Sequence, residues 1–204
     1  MLYRVVRAVF WVYLKVFHGF HTEGSQNLPD RGPAIVASNH RHWLDPVLLA
    51  CSFRRPICFM AKEELFRSPA IARLLRAVGA FPVRRGQMDR AALRTALEAL
   101  RGGKVLGIFP EGTRSRSGQL LRAEPGVGFM ADKGQAPVVP CGIIGNYRLF
   151  QPLQVVVDDP VTVVSGQAPA RTEAHQATAD CVMERIAALI GSRTLITSEP
   201  TGRQ

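Results

Sequence analysis

The chain has little of what a membrane-spanning or secreted protein shows at its start. In the opening "MLYRVVRAVFWVYLKVFHGF" the longest uncharged run, Ala8 to Leu14, has seven residues, whereas a spanning helix needs about 20 predominantly apolar ones. No small-residue cleavage site follows, which argues against a secretory leader. Cysteine is scarce and badly spaced for metal or redox chemistry. Cys51, Cys58, Cys141 and Cys181 form no C-x-x-C pair and sit in or beside apolar stretches, so reduced, mostly buried thiols in a cytosolic protein are expected. Neither a G-x-S-x-G serine nor a paired cysteine stands out to serve as a protein nucleophile. Acidic residues are few: 16 Asp and Glu against 26 Lys and Arg leave a net charge of +10. That balance favours an anionic partner such as nucleic acid, a phospholipid surface or a phosphorylated substrate. Without a recognisable reader motif or an interleaved aromatic and basic surface, nucleic acid ranks last. Internal repeats and low-complexity segments are also lacking.

What is present fits one domain, since 204 residues with 47% apolar content can bury a full core. The turn-rich "EGSQNLPDRGP" (23–33) leads to a short strand, Ala34 to Ser38. A helix is predicted to start at Asp45-Pro46, with the aspartate at the N-cap and the proline in the first turn. Ser68-Pro69 opens a second helix that Gly79 ends, and Phe81 to Arg84 reads as a strand. Leu93, Ala96, Leu97 and Leu100 recur at helical spacing up to Gly102-Gly103, and Val105 to Phe109 is a buried strand discharging into "PEGTRSRSG". A short helix at 126–133, a strand at 138–144, one or two strands within 153–164 and a closing helix at 173–190 follow, and the tail from Gly191 is expected to be disordered. Alternating strands and helices predict an α/β sheet covered on both faces, with ligands collecting at loops beyond strand ends.

On a helical wheel at about 100° per residue, Arg4, Arg7, Lys15 and His18 share an arc of roughly 80°. Apolar residues from Leu2 to Phe17 cover most of the remaining circumference. A helix lying in a membrane interface, with its cationic stripe toward headgroups, explains so wide an apolar surface. The alternative is a helix packed on the domain's own core with that stripe in water.

Three readings compete for "NHRHWLD" (39–45). A zinc site of the H-x-H-x-D-H kind wants an acidic residue at 44 and a histidine at 45, but the chain has Leu44 and Asp45. Asp45 can simply cap the helix, leaving the histidines as surface loop residues. The third reading is a His–Asp dyad in which Asp45 accepts from His40 Nδ1–H and His40 Nε2 is the general base. On a continuous helix the two side chains would point about 140° apart, so the dyad requires the loop to curl back over the helix start. A dyad without a protein nucleophile suits direct transfer to a substrate hydroxyl.

"NHRHWLD" also resembles the N-H-x4-D block of the PlsC-type glycerolipid acyltransferases, the 1-acylglycerol-3-phosphate acyltransferase family. "GAFPVRRG" (79–86), "FPEGTRSRSG" (109–118) and "APVVPCGI" (136–143) resemble its second, third and fourth blocks, in family order, and the similarity spans about residues 30 to 165. The resemblance implies an α/β fold with a mixed central sheet covered by helices; with the helical-wheel reading and the tail, the chain divides into an amphipathic membrane-association helix (1–22), an acyltransferase domain (23–190) and a tail expected to be disordered (191–204). It implies transfer of a fatty acyl group from acyl-CoA or acyl carrier protein to the sn-2 hydroxyl of 1-acylglycerol-3-phosphate (lysophosphatidic acid), giving phosphatidic acid. His40 would be the base and Asp45 its support, with Arg85, Glu111, Gly112, Thr113 and Arg114 holding the glycerol phosphate. Arginine forks suit phosphate oxygens, and a glycine lets backbone approach an anion. In an extended 81–85 segment Arg84 points away from Arg85, which favours Arg85. Glu111 has a plainer alternative as a helix-end or surface carboxylate paired with Arg114 or Arg116.

The thioester is a co-substrate, and neither a cofactor nor a metal is implied. The expected partners are the lysophospholipid, the acyl thioester, an anionic membrane surface and, where it is the donor, acyl carrier protein. The expected location is peripheral, on the cytoplasmic face of the cell membrane. Alternatives are an acyltransferase or transacylase for another lysophospholipid, or a non-catalytic anionic-lipid binder. The chain departs from the family at His42, often serine there, at Glu124, often basic, and at Asp158-Asp159-Pro160, usually a glycine-containing turn.

Overall fold

The computed structural model describes residues 2–84, 89–115, 117–163 and 171–194. Helix α1 (Leu2–His18) is followed by β1 (His21–Glu23), β2 (Ala34–Ser38), α2 (Asp45–Ser52), β3 (Ile57–Lys62), α3 (Pro69–Ala77) and β4 (Phe81–Val83). Then come α4 (Arg90–Arg101), β5 (Val105–Ile108), α5 (Gly126–Gly134), β6 (Val138–Gly145), β7 (Leu153–Val157) and α6 (Arg171–Thr194). The seven strands form one sheet in the order β1-β7-β6-β2-β5-β3-β4. Every pairing is parallel except the antiparallel β6–β7 pair, so the sheet is mixed.

Strand alternation sends successive side chains to opposite faces, and two separate cores result. Ala34 and Val36 of β2 join Leu14 of α1 and Leu48 and Leu49 of α2 on one face. Ile35 and Ala37 join Leu100 of α4, Val127 and Ala131 of α5, and Val182 and Ile186 of α6 on the other. In β5 the absent side chain of Gly107 admits the Phe59 ring; a Cβ there would stand 2.1 Å from it. Asp89 caps α4, its carboxylate accepting from the N–H groups of Ala91 and Ala92. These two backbone hydrogen bonds, with another from Arg84, hold the Asp89 carboxyl below the usual carboxylate range.

Several boundaries differ from the sequence expectations. β1 and β3 are additional strands, and Val161 makes only an isolated bridge to Val138. Helix α6 continues through 191–194, where the sequence suggested a disordered tail to begin; residues from 195 onward lie outside the described residues. Leu44 is the N-cap of α2 and Asp45 its first helical residue. The Asp45 carboxylate turns back over the preceding loop instead of forward onto the helix.

Helix α1 divides its surface between two environments. Leu14 and His18 are buried, and Phe10 and Tyr13 pack against the first core. Leu2, Val5, Val9, Val12 and Val16 are exposed on the opposite side. The cationic stripe of four is thereby reduced to two, because Arg7 donates to the Phe53 carbonyl and His18 to that of Gln151. Arg4 and Lys15 remain exposed, with the Lys15 ammonium 5.6 Å from the Trp11 ring. Among the described residues no helix is long and apolar enough to cross a membrane. Burial pushes the Cys51 thiol up to about 11 and raises Cys58 and Cys141 as well, and all four cysteines are free.

Candidate active site

Strands β2, β5 and β6 are adjacent and parallel. The chain leaves β2 through α2, which packs on one face, and leaves β5 through α5, which packs on the other. In open α/β sheets ligands bind beyond the C-terminal ends of strands whose connections diverge in this way. The loop following β2 carries His40, the loop after β5 carries Glu111, and the loop after β6 carries Tyr147.

The 39–44 segment curls back over the start of α2, as the dyad reading requires. His40 Nδ1 lies 2.7 Å from Asp45 Oδ2, with both side chains buried. The same oxygen accepts from the backbone N–H groups of Arg41 (2.6 Å) and His42 (2.7 Å). The Tyr147 hydroxyl donates to Asp45 Oδ1. A carboxylate only accepts, so the proton sits on His40 Nδ1 and the lone pair on Nε2. Among the described residues Nε2 has no hydrogen-bond partner, which leaves it free for a substrate proton.

Other contacts fix the imidazole. Its ring stacks on Phe109 at 3.9 Å between centroids. Glu111 Oε1 accepts the His40 N–H at 2.8 Å, and Oε2 accepts the Leu121 N–H at 3.0 Å. The Ser115 N–H donates to the His40 carbonyl at 2.8 Å, so the loop after β5 clamps the His40 peptide from both sides. Asn39 exchanges two hydrogen bonds with the Ile143 backbone, at 2.8 and 3.0 Å, extending the β2–β6 pairing by one residue. A side chain so held in place can accept a proton without reorganising.

Comparison with known proteins agrees with this geometry. Residues 19–144 match the family model described as Acyltransferase. The chain belongs to the acyltransferase family. It is 29% identical over 166 residues to the 1-acyl-sn-glycerol-3-phosphate acyltransferase of Bacillus subtilis (strain 168), a match covering 78% of this chain and 82% of that protein. Over 129 residues it is 32% identical to the protein of the same name from Borreliella burgdorferi, covering 62% of this chain and 52% of the relative. The chain therefore spans about half the length of the Borreliella protein. The crystal structure of the 1-acyl-sn-glycerophosphate (LPA) acyltransferase PlsC from Thermotoga maritima matches with a TM-score of 0.66 at 28% identity, covering 88% of this chain and 76% of that one. The mixed sheet flanked by helices is thus the fold of a known acyltransferase.

The structure of this acyltransferase places the remaining predicted residues unequally. Gly112, Thr113 and Arg114 are exposed beside the dyad. Gly112 adopts a φ of 67°, which only glycine takes up freely, but its N–H closes a turn onto the Phe109 carbonyl. Glu111 is buried and both its oxygens are taken by backbone, so it pairs with neither Arg114 nor solvent. Arg85 lies outside the described residues. Arg84 is exposed between Glu63 and Asp89 at 3.8 and 3.7 Å. Pro137 precedes β6, and its carbonyl accepts from Ile35 at the start of the β2–β6 pairing. Pro140 lies within that pairing, opposite Ala37, and its carbonyl accepts from Asp158, so it does not end the ladder.

His42, the departure from the family pattern, stacks on Tyr147 at 4.1 Å. Burial lowers its basicity, Asp45 partly offsets that, and Arg114, His18 and His40 lower it further. Its Nδ1 accepts from the Leu44 N–H at 3.3 Å, so the neutral ring carries its proton on Nε2 and presents a donor, not a base. His42→Ser is therefore expected to change kcat by less than about tenfold, below the range of general-base loss, in a steady-state thiol-release assay.

Among the other site residues, Asn39 and Phe109 open the first and third of the quoted blocks but carry no assigned role there, and Tyr147 lies outside every block. Burial and the neighbouring Asp45 hold the Tyr147 phenol above its usual range, so it stays a donor. Tyr147→Phe would leave a buried carboxylate oxygen short of a partner. A stability loss of about 1–3 kcal/mol is expected, measurable by urea unfolding.

Proposed function

We propose that this acyltransferase moves a fatty acyl group from a thioester, acyl-CoA or acyl carrier protein, to the sn-2 hydroxyl of 1-acylglycerol-3-phosphate, giving phosphatidic acid. The observation that carries the reading is the His40–Asp45 pair at 2.7 Å beyond the C-terminal end of β2, with no hydrogen-bond partner on Nε2 among the described residues. His40 Nε2 takes the hydroxyl proton as the oxygen attacks the thioester carbonyl. Asp45 stabilises the imidazolium through Nδ1–H, and as the C–S bond breaks the proton taken up at Nε2 passes to the departing thiolate sulfur. No protein nucleophile is required, and the thioester is a co-substrate, not a resident cofactor. Thr113 and Arg114 are exposed in the loop whose Ser115 N–H holds the His40 carbonyl, which supports a role in binding the acceptor phosphate, and the arginine fork suits its oxygens. Arg85 takes part on the strength of the motif alone. Glu111 acts on this site through the His40 backbone, which makes it a positioning residue.

The exposed valine face of α1, bordered by Arg4 and Lys15, seats the enzyme on an anionic bilayer from which lysolipid arrives, on the cytoplasmic side. Deleting α1 is a poor test of this, because Leu14 and His18 belong to the folded core. Purified protein assayed for thiol release, with lysophospholipid headgroups crossed against CoA and carrier-protein donors, tests the reaction. Turnover should require lysophosphatidic acid and a thioester together. Equal rates across all headgroups, or no thiol release with any, would sink the assignment.

A further inference from the structure

Beyond the dyad, the most exposed large apolar side chain among the described residues is Phe150, 74% accessible, beside Leu149 at 57%. These two residues do not sit on a loose tip. Phe150 holds a φ of 64°, in the left-handed region that residues with side chains seldom adopt. Its N–H donates to the Phe17 carbonyl at 2.7 Å, and its ring lies 6.0 Å from the Phe17 ring. One residue further, the Gln151 carbonyl accepts from His18 Nδ1 at 3.3 Å. The loop is thus tied to the last turn of α1, and an apolar pair is held out in water by contacts that do not bury it.

We propose that Leu149 and Phe150 form a second lipid-contact element that, with the outer face of α1, docks the enzyme on a bilayer carrying anionic headgroups. The proposal rests on the reading of α1 as a membrane helix and extends it to the active-site end. The exposed row Val5, Val9, Val12 and Val16 runs along α1 toward the corner where Phe17 meets Phe150. Exposed Lys15 and Arg148 are near neighbours of that corner in the chain, the mixture of apolar bodies and cationic tips that suits an interface. A second copy of the chain is a poorer occupant, because two molecules of net charge +10 repel. The placement also serves the chemistry. Tyr147, two residues before Leu149, donates to Asp45 and stacks on His42, whose other neighbour is Trp43, 60% exposed. Seating Leu149 and Phe150 among acyl chains would bring the His40–Asp45 pair toward headgroup depth, where a lysolipid hydroxyl resides.

The full chain is tested as L149S/F150S and, separately, as V9S/V12S, by flotation with phosphatidylcholine–phosphatidylglycerol vesicles. Each protein is also assayed with lysophosphatidic acid presented in vesicles and with a short-chain, monomeric analogue. Removing two apolar side chains from a lipid contact should weaken vesicle partitioning by at least about tenfold. Turnover of vesicle-borne substrate should fall with it, while turnover of the monomeric substrate stays within about twofold. Wild-type flotation of L149S/F150S beside lost flotation of V9S/V12S overturns the loop's role and leaves the α1 reading standing. Wild-type flotation of both variants overturns both. Lost flotation of the loop variant alone supports the loop and removes α1. Equal loss of activity on both substrate forms also overturns the proposal, since the loop would then shape the site without touching lipid.

Discussion

Replacing His40 with alanine is expected to lower kcat by about 10²- to 10⁴-fold, the contribution of a positioned general base, with the fold preserved. Preservation follows from how Asp45 is satisfied. Without the imidazole, Oδ2 keeps the N–H groups of Arg41 and His42 and Oδ1 keeps the Tyr147 hydroxyl, so no buried charge is orphaned. Far-ultraviolet circular dichroism and urea unfolding should therefore stay near wild type while thiol release collapses. Asp45→Asn provides the complementary measurement. The amide oxygen can take the three-donor position and the NH2 group can donate to Tyr147, whose hydroxyl rotates to accept. Geometry survives, but the charge opposite the imidazolium is gone, and a loss of about 10²- to 10⁴-fold is again expected. Near-normal turnover in folded His40→Ala would exclude the dyad.

How far the dyad was legible depended on the loop between its two members. Spacing alone set His40 and Asp45 apart on a helix, and only the observed reversal at 39–44 brings them to 2.7 Å. The expectation that Asp45 caps α2 misplaced the carboxylate, because it is used by the loop N–H groups behind it and not by the helix ahead. Apolar runs disclosed β2, β5 and β6, which are buried throughout most of their length. Strand β1, three residues of His-Thr-Glu at the sheet edge, carries no hydrophobic period to read. Strand β3 is a short apolar run directly after a proline, where periodicity does not separate strand from helix. The contact of Tyr147 with Asp45 joins residues 102 positions apart, and nothing local marks either partner for the other. On α1 the wheel found the amphipathic character but not its orientation, since Arg7 and His18 are drawn inward by carbonyls supplied from distant segments.

Glu111→Ala separates a brace from a substrate contact. Wild-type Glu111 is 5% exposed, and its carboxylate accepts the N–H groups of His40 and Leu121. Each such charge-assisted bond contributes about 1.5–3 kcal/mol, and its loss leaves a donor unsatisfied. Removing both is expected to cost about 3–5 kcal/mol, a drop in Tm of about 6–20 °C for a domain of this size. The catalytic consequence follows from the same two bonds. The His40 peptide would be held only by Ser115 on its carbonyl side, and an ångström of drift at Nε2 lowers kcat by about 10- to 100-fold. KM for the lysolipid should change little, because the carboxylate faces backbone and would repel a phosphate if it turned outward. A direct substrate role predicts the reverse, a raised KM with Tm unchanged, and differential scanning fluorimetry beside steady-state kinetics distinguishes them. Glu111→Gln sharpens the comparison: the amide keeps one acceptor oxygen for His40 while opposing the Leu121 N–H with a donor, so stability should fall further than kcat does.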